Sequence, residues 1–434
     1  MPNEIKKEIC ELIDKRSASI LDIVRDIGAH PELGYKEYRT SKAVNDFLRS
    51  AGYETERGLA ITGIKAKLKK EHAGPNIAFM GELDGITCPE SANADPATGA
   101  THHCGHHLQL GVMMAVAQAF KESGIALLLG GNISFIAAPA EEYIELAYRS
   151  ELRTRGDIRY FGGKQELVRC GAFDDVDAAM MVHSQGNTPY PFAGTVNTGN
   201  GLIAAMIHYI GKTAHAAAAP EEGINALHAA VLGINAVNAM RETFRDEDHA
   251  RVHYIINKGG DTVNSVPSDV RLECFVRSRT VASMEQLLQK TEQSFRSGGE
   301  AIGATTEIKR RSGYLPLACN EQMNALFAAN ARTFVPENQI ATIDFFKAST
   351  DMGDITQLMP AIHPMVGGVE GSLHAASFKT VDATAAVITP AKIVASTLVD
   401  LLIDNAAKLR SITENNHPLL TKQAYMDLLD SFFT

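Results

Sequence analysis

Three short apolar runs, Ile77 to Met80, Ile133 to Ala137 and Ala178 to Val182, each lead into polar residues, and this pattern restricts the chain to few folds. The first is followed by Glu82 and Asp84, the second by Glu141 and Glu142 within APAEE, and the third directly by His183. Uninterrupted runs of this length suit strands buried on both faces. After the first comes a segment, Gln109 to Phe120, in which Leu110, Met113, Met114, Ala117 and Phe120 keep helical spacing. Such alternation predicts an α/β fold, a mostly parallel sheet with helices on both faces. Ligands bind such sheets outside the carboxyl ends of the strands, so separate strands are expected to bring polar groups to one rim.

The rhythm changes after Pro191. Strands are expected over Leu202–Ile210, Arg251–Asn257 and Asp269–Arg277, and helices over Gly223–Met240 and Ala282–Phe295. A small sheet with two helices on one face, a ferredoxin-like α+β arrangement, accounts for that order. A chain of 434 residues exceeds what one core usually serves. The expected organisation is therefore one domain from residues 1–191 and 312–434, closed by a helix around Ala391–Ile403, with 192–311 inserted as a second.

The segment THHCGHH, Thr101 to His107, puts a thiol and four imidazoles just before a helix, in a chain with 15 histidines. Thiolate and imidazole suit zinc and its neighbours, whereas calcium and magnesium want oxygen. A Glu pair is ordinarily a solvated surface feature. Glu141 and Glu142, however, follow an apolar strand and Pro139, which favours burial at the sheet edge. Beside a metal, one can ligate while the other takes a proton from water. His183 and His374 could each be a satisfied core histidine, and His215, in the inserted domain, reads first as structural.

Composition removes other classes. The formal net charge is -10 with no basic cluster, which argues against a nucleic-acid partner. No window reaches the ~18 uncharged apolar residues of a membrane span. The start carries Glu4, Lys6, Lys7 and Glu8 where a secretory signal would be apolar, so a cytoplasmic protein is expected. Six cysteines lie far apart with no CxxC pair, which predicts free thiols.

In order along the chain, HPELGYKEYRTS, GELDGI, HHCGHH, APAEE, GAFDDVDAAMMVH, GKTAHAAAAPEEGINAL, VNSVPSDVRLECFVR, STDMGD and GSLHAASF resemble the aminoacylase and carboxypeptidase G family of two-metal metallopeptidases. Within it, the chain looks closest to the p-aminobenzoyl-glutamate hydrolase and Xaa-Arg dipeptidase-like branch. The resemblance implies a metal-binding catalytic domain with an inserted dimerisation or lid domain. It also implies hydrolysis of an amide bond in a dipeptide or N-acyl amino acid bearing a free carboxylate. Two divalent ions are implied, zinc suiting the thiolate best, with manganese or cobalt as alternatives. It makes Cys104 the bridging ligand and His106, Glu142, His183 and His374 the others, with Glu142 and His374 on one ion and His106 and His183 on the other. Glu141 becomes the general base and Asp84 a carboxylate that orients a ligand. His215 resembles a residue that reaches across a homodimer to the partner's site, and Asn264 and Arg277 resemble the pair that holds the substrate carboxylate.

The sequence departs from the family motif at His103 and His107, where a small residue and Asp or Asn are usual. His107 is thus open to a supporting role or to competing as a ligand. Two other functions stay in view, a dipeptidase that requires a free substrate amine and a catalytically silent metal- or peptide-binding protein.

Overall fold

The computed structural model describes residues 2–69 and 74–433. They fold as two compact units. Unit 1 is residues 1–197, 318–346 and 354–422, and unit 2 is 198–317, 347–353 and 423–434, within the described limits.

Unit 1 is built on a six-stranded sheet in the order Thr55–Leu59, Gly63–Lys67, Asn132–Ala138, Asn76–Glu82, Ala178–Met181, Ala361–Ile362. The first two pairings are antiparallel and the other three parallel. Strands Asn76–Glu82, Asn132–Ala138 and Ala178–Met181 are buried throughout, which is why their sequences lack the alternation of a half-exposed sheet. The register sets Glu82 beside Ala138 and Met80 beside Met181, so all three strands end at the same edge. His183 continues from the third strand into a short pairing with Met365–Val366.

The helix His106–Glu122 packs on this sheet, and its buried positions run all round it. The Thr384–Asn415 segment is long and apolar enough to cross a membrane, with a mean hydropathy of 1.8, but 83% of that window lies inside the protein. Two of its charges are paired inward, Lys392 with Asp14 at 2.5 Å and Asp400 with Lys6 at 2.6 Å, so it is a core helix of unit 1. Its helical backbone breaks at Ile403–Ala406.

Unit 2 carries a four-stranded antiparallel sheet, ordered Arg251–Lys258, Asp269–Ser278, Gly201–Ile210, Thr305–Ser312. Helices Ala226–Met240 and Val281–Ile302 pack on each other and on the sheet, completing the order βαββαβ. Their crossing is close. A Cβ at Gly298 would lie 2.4 Å from the Ala229 carbonyl oxygen, so glycine is required there.

The division differs from the expected 191/192 and 311/312. Ala193 and Gly194 pair with Val366 and Met365 in unit 1, which carries that unit on to Asn197. At the other end the Thr305–Ser312 strand extends unit 2, and the Arg311 guanidinium lies 5.9 Å from the Phe433 ring, within the tail that joins the same unit.

Candidate metal centre

Each donor-bearing side chain of unit 1 is delivered by a strand end or a tight loop. Cys104 and His106 flank Gly105, whose φ of +84° opens the helix His106–Glu122. A Cβ at Gly105 would lie 2.5 Å from Ser184 Oγ, so only glycine allows this turn beside the third strand. His374 adopts φ +64°, a left-handed conformation that a non-glycine residue holds only when its surroundings require it. Its N–H donates to the His103 carbonyl at 2.9 Å, tying the His374 loop to the Cys104 loop.

The result is a set of donors around one sulfur. Cys104 Sγ lies 3.4 Å from His183 Nε2 and 3.3 Å from His374 Nε2, and His374 Nε2 lies 3.1 Å from Glu142 Oε1. Donor atoms of Cys104, His106 and His183 fall within 4.8 Å of one another, as do those of Cys104, Glu142 and His374. A third group, Glu82, His106 and Glu141, shares His106. Cys104 is common to the first two groups.

The imidazoles are oriented by their other nitrogens. His106 Nδ1–H donates to the Asp84 carbonyl at 2.9 Å, and His183 Nδ1–H to the Ser184 carbonyl at 2.9 Å, which leaves each Nε2 lone pair facing the cluster. The Asp84 carboxylate also accepts from the Glu142 N–H at 2.9 Å, so one residue braces two donors, through its carbonyl and its side chain. His106 Nε2 and Glu142 Oε1 are buried without a hydrogen-bond partner. Orphaned donor atoms of this kind, converging with a thiol, fit a cation.

The electrostatics agree. Burial, reinforced by the Glu142 charge, pushes the Cys104 thiol well above its usual range, so a thiolate here calls for a positive ion beside it. Burial also works against the Glu142 carboxylate, yet His374 outweighs it and holds that group at about 2. Burial, with the His106 charge adding to it, pushes His183 down, which favours the neutral ligand form.

The APAEE loop is clamped from beneath. Ala140 takes φ +50°, and its N–H donates to Glu37 Oε1 at 2.8 Å. Arg149, one of the largest fully buried side chains, donates to the Phe161 carbonyl at 2.7 Å and to that of Glu142. Glu37 closes the HPELGYKE motif, which carried no assigned role, and burial followed by the Asp84 charge raises its carboxyl from 4.5 to about 7. The unfolded chain therefore releases this proton at lower pH than the folded one. Stability of the metal-free protein is expected to fall by on the order of 3 kcal/mol as pH rises between those two values, and to level off above them. Urea unfolding at about pH 5 and about pH 8 measures this, and Glu37→Gln should flatten the difference.

His103 and His107 stand outside the donor groups. The His103 ring lies 5.8 Å from Phe378, and the His107 ring lies 5.1 Å from His102. Burial pushes His107 down to about 3.

The remaining three residues belong to unit 2. His215 is exposed, and its Nδ1 accepts from the Ala217 and Ala218 N–H groups at 3.2 and 3.0 Å. In the neutral ring this places the proton on Nε2, an outward donor. The Ala216 N–H donates to the Asn264 carbonyl at 2.9 Å, which puts His215 and Asn264 on one tip. Arg277 is elsewhere. It sits near the far end of the Asp269–Ser278 strand, eight residues past the end that Asn264 precedes, or about 26 Å along the strand. One chain cannot bring both to a single carboxylate.

Residues 198–301 match the M20 peptidase dimerisation domain. The Xaa-Arg dipeptidase of Mus musculus is 28% identical over 377 residues, covering 83% of this chain and 79% of its own. One of the subunits of the Escherichia coli p-aminobenzoyl-glutamate hydrolase is 28% identical over 358 residues, covering 79% of this chain and 68% of its own. The chain is a homologue of these hydrolases and carries an M20 peptidase dimerisation domain. A Bacillus subtilis dinuclear metal-binding peptidase of the M20 family shares the homologue's fold, with a TM-score of 0.64 at 18% identity over 89% of this chain and 98% of that one.

Proposed function

We propose that this M20 homologue is a metal-dependent hydrolase that cleaves an amide bond in a dipeptide or N-acyl amino acid, including aroyl-glutamates, next to a free carboxylate. The observation that carries the reading is the pair of donor groups sharing Cys104, one completed by the buried His106 and His183, the other by the buried Glu142 and the exposed His374. Cys104 belongs to both groups, so it is the side chain that would be shared by two ions held there. Bound there, two divalent ions, zinc suiting the thiolate best with manganese or cobalt as alternatives, supply Lewis acidity and bring the pKa of a water towards ~7.

Glu141, 7% exposed beside this cluster, takes the proton of the attacking water and returns it to the departing amine. Asp84 holds His106 and Glu142 in place. The chain acts as a homodimer. The His215 Nε2–H of one protomer stabilises the oxyanion at its partner's site, and Asn264 arrives on the same tip. Arg277 grips the substrate carboxylate from the other chain, an assignment supported by its separation from Asn264. A cytoplasmic location is consistent with six free cysteines.

The substrate class is drawn from the relatives, one named a dipeptidase and the other an aroyl-glutamate hydrolase. A panel of dipeptides, N-acyl amino acids and aroyl-glutamates, run with and without a chelator, tests it. Chelator-sensitive release of a free amino acid supports the reading. No hydrolysis of any member by metal-loaded protein overturns it in favour of a silent binding protein, and turnover confined to free-amine dipeptides replaces it with an aminopeptidase-type activity.

A further inference from the structure

Glu82 has no role in the reaction as described, yet it faces the same cluster. It ends the Asn76–Glu82 strand fully buried, with Oε1 paired to the equally buried Lys164 Nζ at 2.6 Å. Its Oε2 accepts from Gln109 Nε2 at 2.9 Å and lies 3.1 Å from His106 Nε2. Glu141 Oε2 lies 3.8 Å from that same nitrogen. Since Nδ1 of His106 is committed to the Asp84 carbonyl, two carboxylates are turned towards its remaining nitrogen, which makes no hydrogen bond to either. A cation shared among them resolves that juxtaposition, because each group then faces positive charge.

We infer that Glu82 is an additional carboxylate ligand to the ion held by His106, aimed by Lys164 and Gln109 as positioning residues. This rests on the metal-centre reading above. An oxygen ligand added to sulfur and imidazole makes that position harder, and shifts its preference from zinc towards manganese. Lys164 acts in the opposite sense on affinity, since its ammonium repels a dication while it holds the carboxylate in place.

Competition against a chromophoric chelator, with zinc and with manganese, is to be measured on wild type, Glu82→Gln and Lys164→Met, together with cobalt spectra. Glu82→Gln is expected to weaken one of the two ions by about 10- to 100-fold, more for manganese, while the Cys104 sulfur-to-cobalt band persists. Lys164→Met should bind at least as tightly as wild type. Unchanged affinities in Glu82→Gln, or equal weakening in both single variants, would mean that the pair is structural and His106 merely its imidazolium partner, and would overturn the inference. Should Glu82→Gln fail to fold because Lys164 is left unpaired, the Glu82→Gln, Lys164→Gln double variant carries neither charge and decides in its place. Weakened binding there supports the inference and unchanged binding overturns it. If wild type takes up no metal, the metal-centre reading itself fails and takes this inference with it.

Discussion

Glu141→Gln is expected to keep its metal and lose about 100- to 10,000-fold in kcat, the usual contribution of a positioned base. The amide has the size of the carboxylate but cannot accept the proton of water. Its neighbour should respond differently. Glu142 Oε1 converges with Cys104 and His374, so Glu142→Gln is expected to weaken metal binding first and activity as a consequence. Metal content and single-turnover kinetics on both variants separate the two roles. A reversed pattern, with metal lost from Glu141→Gln and retained in Glu142→Gln, would exchange the base and the ligand.

The second large effect concerns His215. Removing an oxyanion donor costs ~2.7 to 4 kcal/mol in the transition state, so His215→Ala alone should be almost inactive. The proposed arrangement puts the donor on one protomer and the base on the other, so mixing His215→Ala with Glu141→Gln chains should restore activity. Random exchange makes about half of the dimers hybrids, each with one intact site of two, so recovery near a quarter of wild-type activity is expected. The observation behind this is the exposed His215, whose Nδ1 accepts from the Ala217 and Ala218 amides and so leaves Nε2 as the donor of the neutral ring. No recovery, once exchange is established with a tagged chain, would place the action of His215 within its own protomer or remove it from the reaction.

The parts of this architecture that were readable from sequence are those where burial dictates residue type. Strands buried on both faces can hold little but apolar residues, so Ile77–Met80, Ile133–Ala137 and Ala178–Val182 marked the cores of three central strands. The Thr305–Ser312 strand escaped because its sequence, TTEIKRRS, has a single apolar residue and alternates between half-buried and exposed positions. Cys104 and His106 stood out because a thiol among imidazoles is chemically uncommon, whereas Glu142, His183 and His374 joined them only through the resemblance.

Their supports were not legible in the same way. Arg149 and Lys164 are fully buried, but in a single sequence such residues read as surface ones, and only the fold shows that they hold the Glu142 carbonyl and Glu82. Glu37 lay in a quoted motif, without any signal that its carboxyl would reach Ala140 across 103 residues. Asn264 and Arg277 were paired by resemblance. The length of one strand sets them apart within the chain.

The account rests most directly on Cys104 as the ligand shared by two ions, and metal content by elemental analysis of chelator-stripped, reconstituted protein tests it. About two transition-metal ions per chain are expected for the wild type, with marked loss of both in Cys104→Ala because neither donor group is complete without the sulfur. Active wild-type protein with a content near zero, or full metal content and activity in Cys104→Ala, would contradict it.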